Sequence, residues 1–282
     1  MGTTGLQLYN AVSIRCSRIT TQQYSTSFTL GIKSLAPRYR DPIYAIYGFV
    51  RFADEIVDTF HREDAAELLN EFRNDTWKAI ERKISLNPIL HSFQETVNQY
   101  NIERELIETF LYSMEMDLSD IKYDQQTYEK YILGSAEVVG LMCLRVFCEG
   151  DDELYQKLKT PAMRLGSAFQ KINFLRDLNA DYNTLGRVYF PHLNITDFNE
   201  EAKAEILIDI RKDFEDGFKG IQQLPKGTRL GVYVAYVYYF ALLNKISNTQ
   251  ATILLNERVR IPDSRKYALI LKSYLRHQLN MI

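Results

Sequence analysis

IYGFVRFADEIVDTF, residues 46–60, places apolar and aromatic side chains three and four positions apart and sets Asp54 and Asp58 within the same repeat. The register begins earlier, with Ile43, Ile46, Tyr47, Val50, Ala53 and Val57 on one stripe, which predicts a largely buried helix after Asp41-Pro42. Asn87-Pro88 and Thr160-Pro161 repeat the start signal of a capping residue before proline. Helical periodicity continues over 64–83, 89–100, 103–118, 126–148, 161–182, 200–221, 228–247 and 264–280, and no segment alternates with period two long enough for a strand. With only 13 Gly and 7 Pro in 282 residues there are few turns. One all-α domain over 1–282, built from eight or more helices, is expected.

Net charge is −2, which gives general nucleic-acid binding no electrostatic basis. Three cysteines without a CxxC pair suit a reducing cytoplasm and supply no zinc framework. The longest uncharged run, Leu230 to Asn244, is too short for the ~20 residues of a membrane span and is rich in tyrosine, so a buried or interfacial helix is expected there. No polybasic run marks a membrane-facing surface.

Four aspartate pairs have D-x-x-x-D spacing: Asp54/Asp58, Asp120/Asp124, Asp177/Asp181 and Asp209/Asp213. Like charges four apart cost a helix ~0.2–0.5 kcal/mol, so each pair needs a reason. Asp209/Asp213 sits among Arg211, Lys212 and Lys219, as on an ordinary wet helix face, and Asp120/Asp124 lies at a helix end. Asp54/Asp58 instead stands among Phe49, Phe52, Ile56 and Val57, where an unpaired carboxylate is costly. In FQKINFLRDLNAD (169–181), Gln170, Asn173, Asp177 and Asp181 stack along one face, with Arg176 to the side.

Taken alone, that second stripe suits a solvated surface as well as a site. Two acidic helices in one helical chain favour the site, because facing carboxylate pairs can hold hard cations. Magnesium prefers one or two carboxylates plus phosphate oxygens, so its natural companion is a diphosphate. Arg51 and Arg176 are placed to reach phosphate oxygens or to pair with neighbouring acids.

The segments YSTSFTLG (24–31), YAIYGFVRFADEIVD (44–58), EMDL (115–118), VVGLM (138–142), QKINFLRDLNAD (170–181) and GRVYFP (186–191) resemble the squalene/phytoene synthase family in content and order, most closely its bacterial phytoene-forming members. The resemblance implies an all-helical isoprenoid synthase fold with a central cavity, joining two geranylgeranyl diphosphates head to head into phytoene for carotenoid biosynthesis. It implies that Asp54, Asp58, Asp177 and Asp181 hold diphosphate through magnesium, or manganese in its place, with Asn173 among the metal ligands. Arg51, Gln170, Asn173 and Arg176 would hold diphosphate and metal, Ser27 and Phe28 would line the cavity near its mouth, and Tyr47 would stand near the reacting centre. NADPH is not expected.

Two positions depart from the family pattern. Leu133 stands where a second tyrosine is usual after Tyr131, and Glu137 where a glycine is usual. The tyrosine's role would then be absent or moved to Tyr131 or Tyr47, and Glu137 would pair with a cation or line the site. Rival readings are the same chemistry on farnesyl diphosphate, giving dehydrosqualene or squalene, and a non-catalytic assembly factor, which would be expected to have lost acids from one motif. A chain-elongating prenyltransferase would show DDxxD, whereas Glu55 follows Asp54. A cytoplasmic location with peripheral contact at the inner membrane face fits an oily product; no oligomeric state follows from the sequence.

Overall fold

The computed structural model describes residues 4–60, 64–119, 123–185, 187–191, 198–280 and 282. Among these the chain is helical with no strand. The predicted helix after Asp41 is α3 (Pro37–Asp58), and it begins a turn early. Pro37 supplies the start and Pro42 lies inside, while Asp41 pairs with Arg18 at 2.7 Å instead of capping. Asn87 does cap α5 (Pro88–Tyr100), accepting from the Ile89 and Leu90 amides.

Two helices precede α3 that the periodicity did not announce: α1 (Gly5–Tyr24) and α2 (Thr26–Lys33). The stripe that α1 buries is Ser13, Ser17 and Thr21, so no hydrophobic repeat reveals it. Those small residues let α1 lie close on α3 and α5: the Ser17 and Ser92 hydroxyls meet at 2.7 Å, and a Cβ at Gly48 would stand 2.7 Å from the Ser17 Oγ.

One core gathers around α3, α5, α4 (Ala65–Arg82) and α6 (Arg104–Met116), with Phe49 stacked on Phe93 at 3.9 Å between centroids. The 126–148 pattern divides into α7 (Gln125–Ile132), a π-turn (Leu133–Glu137) and α8 (Val138–Cys148). By length and composition Gln125–Cys148 could cross a membrane, unlike the shorter run read from the sequence, yet 61% of its most apolar portion is buried in the bundle.

The second core surrounds α9 (Asp152–Leu185), α10 (Glu200–Ile221) and α11 (Lys226–Ser247). Helix α9 runs straight through Pro161, the expected start, for about 51 Å. Gly220 of α10 lets the helices meet there, since a Cβ on it would come 2.5 Å from the Pro161 Cβ. The uncharged run 230–244 lies within α11, with Tyr233 and Tyr239 buried. Short α12 (Ala251–Leu254) leads to α13 (Asp263–Gln278), which packs on α11.

The Asp209/Asp213 expectation is corrected. Asp213 is only 3% exposed, accepts from the Ser167 hydroxyl at 3.1 Å and from buried Lys171 at 2.6 Å, and has Arg164 at 3.5 Å. Lys171 also donates to Asp209. The cation that satisfies this pair comes from α9, so the local sequence around α10 could not reveal it. Of Asp120/Asp124, Asp120 lies outside the described residues, and Asp124 caps α7 by accepting from the Thr127 amide.

Candidate active site at the rim of the helical cavity

Between α3 and α9 lies a cavity of about 390 Å³, walled also by α2, α6, the π-turn, α8, α10 and α11. Its sides are apolar and aromatic, including Phe28, Ile46, Val139, Leu165, Phe169 and Tyr239, while Arg51, Asp54, Gln170 and Asn173 stand at one end. Phe28 lies 5.6 Å from the Tyr47 ring and 6.1 Å from Tyr239, which stacks on Phe169 at 4.1 Å. Ser27 does not reach the cavity lining; it sits half-buried in the first turn of α2 beside Ser25, which caps Phe28. Ser25 also hydrogen-bonds Tyr47, whose hydroxyl burial pushes up to about 12 and so keeps protonated.

The four aspartates expected at the site occupy two facing helices. Asp54 and Asp58 end α3, and Asp177 and Asp181 lie near the end of α9. Burial, followed by the charge of Asp58, pushes Asp54 up to about 6. Burial, followed by Asp177 and then Asp58, pushes Asp181 up to about 7, so the carboxylates of the two helices repel one another across the gap.

Arginines answer that charge. Arg51 forks between Asp54 and Glu55 and lies over the Tyr24 ring at 4.3 Å. Arg176 and Arg258 both hold Asp177, the latter at 2.6 Å. Burial is the largest single influence on Arg176 and works against its charge, but the hydrogen bond and the negative charge of Asp177, with Tyr239 and Tyr238, together outweigh it and raise the pKa. Below the acids, Asn173 donates to Gln170 and accepts from the Tyr239 hydroxyl, each at 3.3 Å.

The link between the helices was missed as a residue role, though both its ends lie in motifs already singled out. After α9 the chain returns Arg187, whose amide donates to the Asp181 carbonyl at 2.9 Å. Its guanidinium donates to the Asp58 carboxylate at 2.9 Å and to the Asp117 carbonyl at 2.7 Å. Asp117 is 8% exposed and accepts from Tyr131 at 2.6 Å and Tyr189 at 3.2 Å; burial, partly offset by Arg187, pushes it up to about 7. EMDL and GRVYFP thus fasten the rim.

The two departures are also resolved in space. Tyr131 lines the cavity, whereas Leu133 faces a separate groove between α7, α9 and α10. Glu137 faces that groove too, where burial outweighs the pull of Arg164 and Lys171 and raises it to about 7. One turn beyond Tyr131, the π-turn sets Ser135 in the cavity wall with its buried hydroxyl lacking a hydrogen-bond partner.

Among the described residues no three His, Cys, Asp or Glu side chains are gathered tightly enough to hold an ion. The rim nevertheless fits a hard divalent cation. Its donors are carboxylate and amide oxygens, the type magnesium and manganese prefer, and the repulsion that raises Asp54 and Asp181 is what a cation would relieve.

A family model described as squalene/phytoene synthase matches residues 21–265. The chain is 34% identical over 169 residues to a presqualene diphosphate synthase of Sinorhizobium fredii, covering 59% of this chain and 58% of that relative. It is 26% identical over 293 residues to a 15-cis-phytoene synthase of Synechocystis sp., covering 93% and 84% respectively. A crystal structure of a dehydrosqualene synthase in complex with ligand superposes with a TM-score of 0.82 at 22% identity, over 95% of this chain and 98% of that one.

Proposed function

The chain belongs to the squalene/phytoene synthase family, and from that premise we propose that it joins two prenyl diphosphates head to head with release of diphosphate. The observation that carries this reading is the pair of acidic helices, bridged by Arg187, at the polar end of an apolar cavity. We propose magnesium as the cation, held by Asp54, Asp58, Asp177, Asp181 and Asn173, with manganese able to replace it. Bound there, it would supply Lewis-acid stabilisation of a departing diphosphate.

The protein's own groups do the rest. Arg51, Arg176 and Arg258 exchange carboxylate contacts for phosphate oxygens and stabilise the negative charge that develops as the C–O bond breaks. The allylic cation left behind is attacked by the double bond of the second substrate; loss of a proton closes a cyclopropane that still carries one diphosphate. That diphosphate leaves in turn, and a final proton loss gives the hydrocarbon without a reductant. Phe28, Tyr47 and Tyr239 present ring faces worth about 0.5–2 kcal/mol each to a passing cation, and the apolar wall keeps water away. Tyr47 and Tyr131 remain neutral donors because burial raises both phenols.

For the substrate we propose geranylgeranyl diphosphate and for the product phytoene, supported by the 93% coverage of this chain in the match to the Synechocystis relative. A second reading, in which condensation uses farnesyl diphosphate and proceeds through presqualene diphosphate, is supported by the higher identity of the Sinorhizobium relative over a shorter stretch. Product analysis decides. Purified protein with magnesium is given each prenyl diphosphate, with and without NADPH, and the extracts are identified by mass spectrometry. Phytoene from geranylgeranyl diphosphate without NADPH supports the first reading, and a product from farnesyl diphosphate alone supports the second. No condensation product under any condition rejects both.

A further inference from the structure

Helix α13 turns its apolar side outward. Tyr267, Leu271, Tyr274, Leu275 and Leu279 are 48% to 69% exposed, and helical spacing puts them on one continuous arc. The opposite face packs on α11 through buried Ser273, with Lys266 over the Tyr238 ring and Arg276 over Tyr233. Half-buried Leu269 and Ile270 join Ser273 on that inward side, so α13 carries apolar side chains on both faces and the bundle covers one of them. Exposed Arg265 and Lys272 border the apolar arc.

Charge separates along the chain in the same sense. Residues 255–282 hold six Lys or Arg and two acids, although the whole chain is net −2. These cations are scattered in sequence, so no basic run announces them; the helix gathers Arg265 and Lys272 beside the apolar arc. An apolar strip with a cationic border complements the boundary between acyl chains and anionic headgroups, where long basic side chains reach up to phosphates while the strip sinks among the tails. Five side chains on one helix form too narrow a strip for the about 800 Å² per partner of a standard protein interface.

We propose that the outward face of α13 docks the protein on an anionic lipid bilayer. Its placement suits that role. Arg258, just before α13, reaches Asp177 on the rim, and Tyr238, beneath Lys266, adjoins Tyr239, which donates to Asn173. A bilayer against α13 would therefore lie beside the polar end of the cavity.

The test needs no substrate and so stands apart from the proposed reaction. Full-chain protein is co-sedimented with phosphatidylcholine vesicles and with vesicles also containing phosphatidylglycerol, at low and high salt. Expected are binding about tenfold or more tighter to the anionic vesicles, weakened by salt, and a loss of about tenfold or more in Leu271→Gln/Leu275→Gln at unchanged melting temperature. Arg265→Gln/Lys272→Gln is expected to lose the phosphatidylglycerol-dependent part alone. Equal or absent binding to the two vesicle types overturns the proposal, as does binding unaffected by the leucine substitutions. A wild-type dimer that Leu271→Gln/Leu275→Gln converts to monomer also overturns it, by assigning the face to a second copy.

Discussion

The pairs Asp209/Asp213 and Asp177/Asp181 share a spacing and lie on helices packed against each other, yet their surroundings are opposite. At the α9–α10 contact a buried lysine, a serine and an arginine close around Asp213. At the rim Asp181 is raised by burial and by two other carboxylates, and Arg187 meets it through a backbone amide instead of its guanidinium. The first arrangement uses its charge to join two helices. The second crowds carboxylates beside a cavity, where a bound proton or an incoming cation relieves the repulsion. Aspartate spacing announces neither; the difference lies in what the neighbouring helices supply.

Substitutions should separate the two regions by what they damage. The largest effect is expected at the rim, where Asp177→Asn or Asp54→Asn lowers prenyl diphosphate turnover by about a thousandfold or more while circular dichroism and melting temperature hold. Loss of folding in both variants would erase the distinction. At the α9–α10 contact, Asp213→Ala should cost about 2–3 kcal/mol in urea unfolding, because buried Lys171 is left with the exposed carboxylate of Asp209 as its counter-charge. The double replacement Lys171→Met/Asp213→Leu should recover most of that loss, since an apolar pair removes the stranded charge.

The rim also has a pH signature. Asp54 and Asp181 are raised to about 6 and about 7, above the ordinary carboxylate range. Between about pH 4 and 7 the folded protein thus holds protons that the unfolded chain releases, so stability falls as pH rises through this window. Partial exposure limits the effect to about 1–2 kcal/mol between pH 5 and 8 without metal. Thermal melts across that range would register it together with Asp117 and Glu137, which are raised to about 7 as well, and magnesium is expected to remove the rim's share of the slope. The smallest effect is at the cavity wall: Ser135→Ala should be neutral or stabilising by about 1 kcal/mol, because the hydroxyl it removes is buried without a partner.

Much of this was legible in the chain. Apolar periodicity and proline starts located most helices, and the acidic stripes on α3 and α9 do converge on one cavity end. Helix α1 escaped because its buried stripe is serine and threonine, and the early start of α3 because Asp41 found Arg18 instead of a free amide. Lys171 and Arg187 act on acids 42 and 129 residues away in the chain, a separation no local pattern encodes. The outward face of α13 was hidden differently: its periodicity was plain, but which side meets the bundle is decided by α11.

Calorimetric titration of inorganic diphosphate, with and without magnesium, decides whether the rim acids rather than those of α10 form a metal-dependent diphosphate site. Binding should require magnesium, vanish in Asp177→Asn, and persist in Lys171→Met/Asp213→Leu. Binding that ignores magnesium, or that survives Asp54→Asn/Asp177→Asn, would mean that the rim acids do not hold diphosphate through a metal.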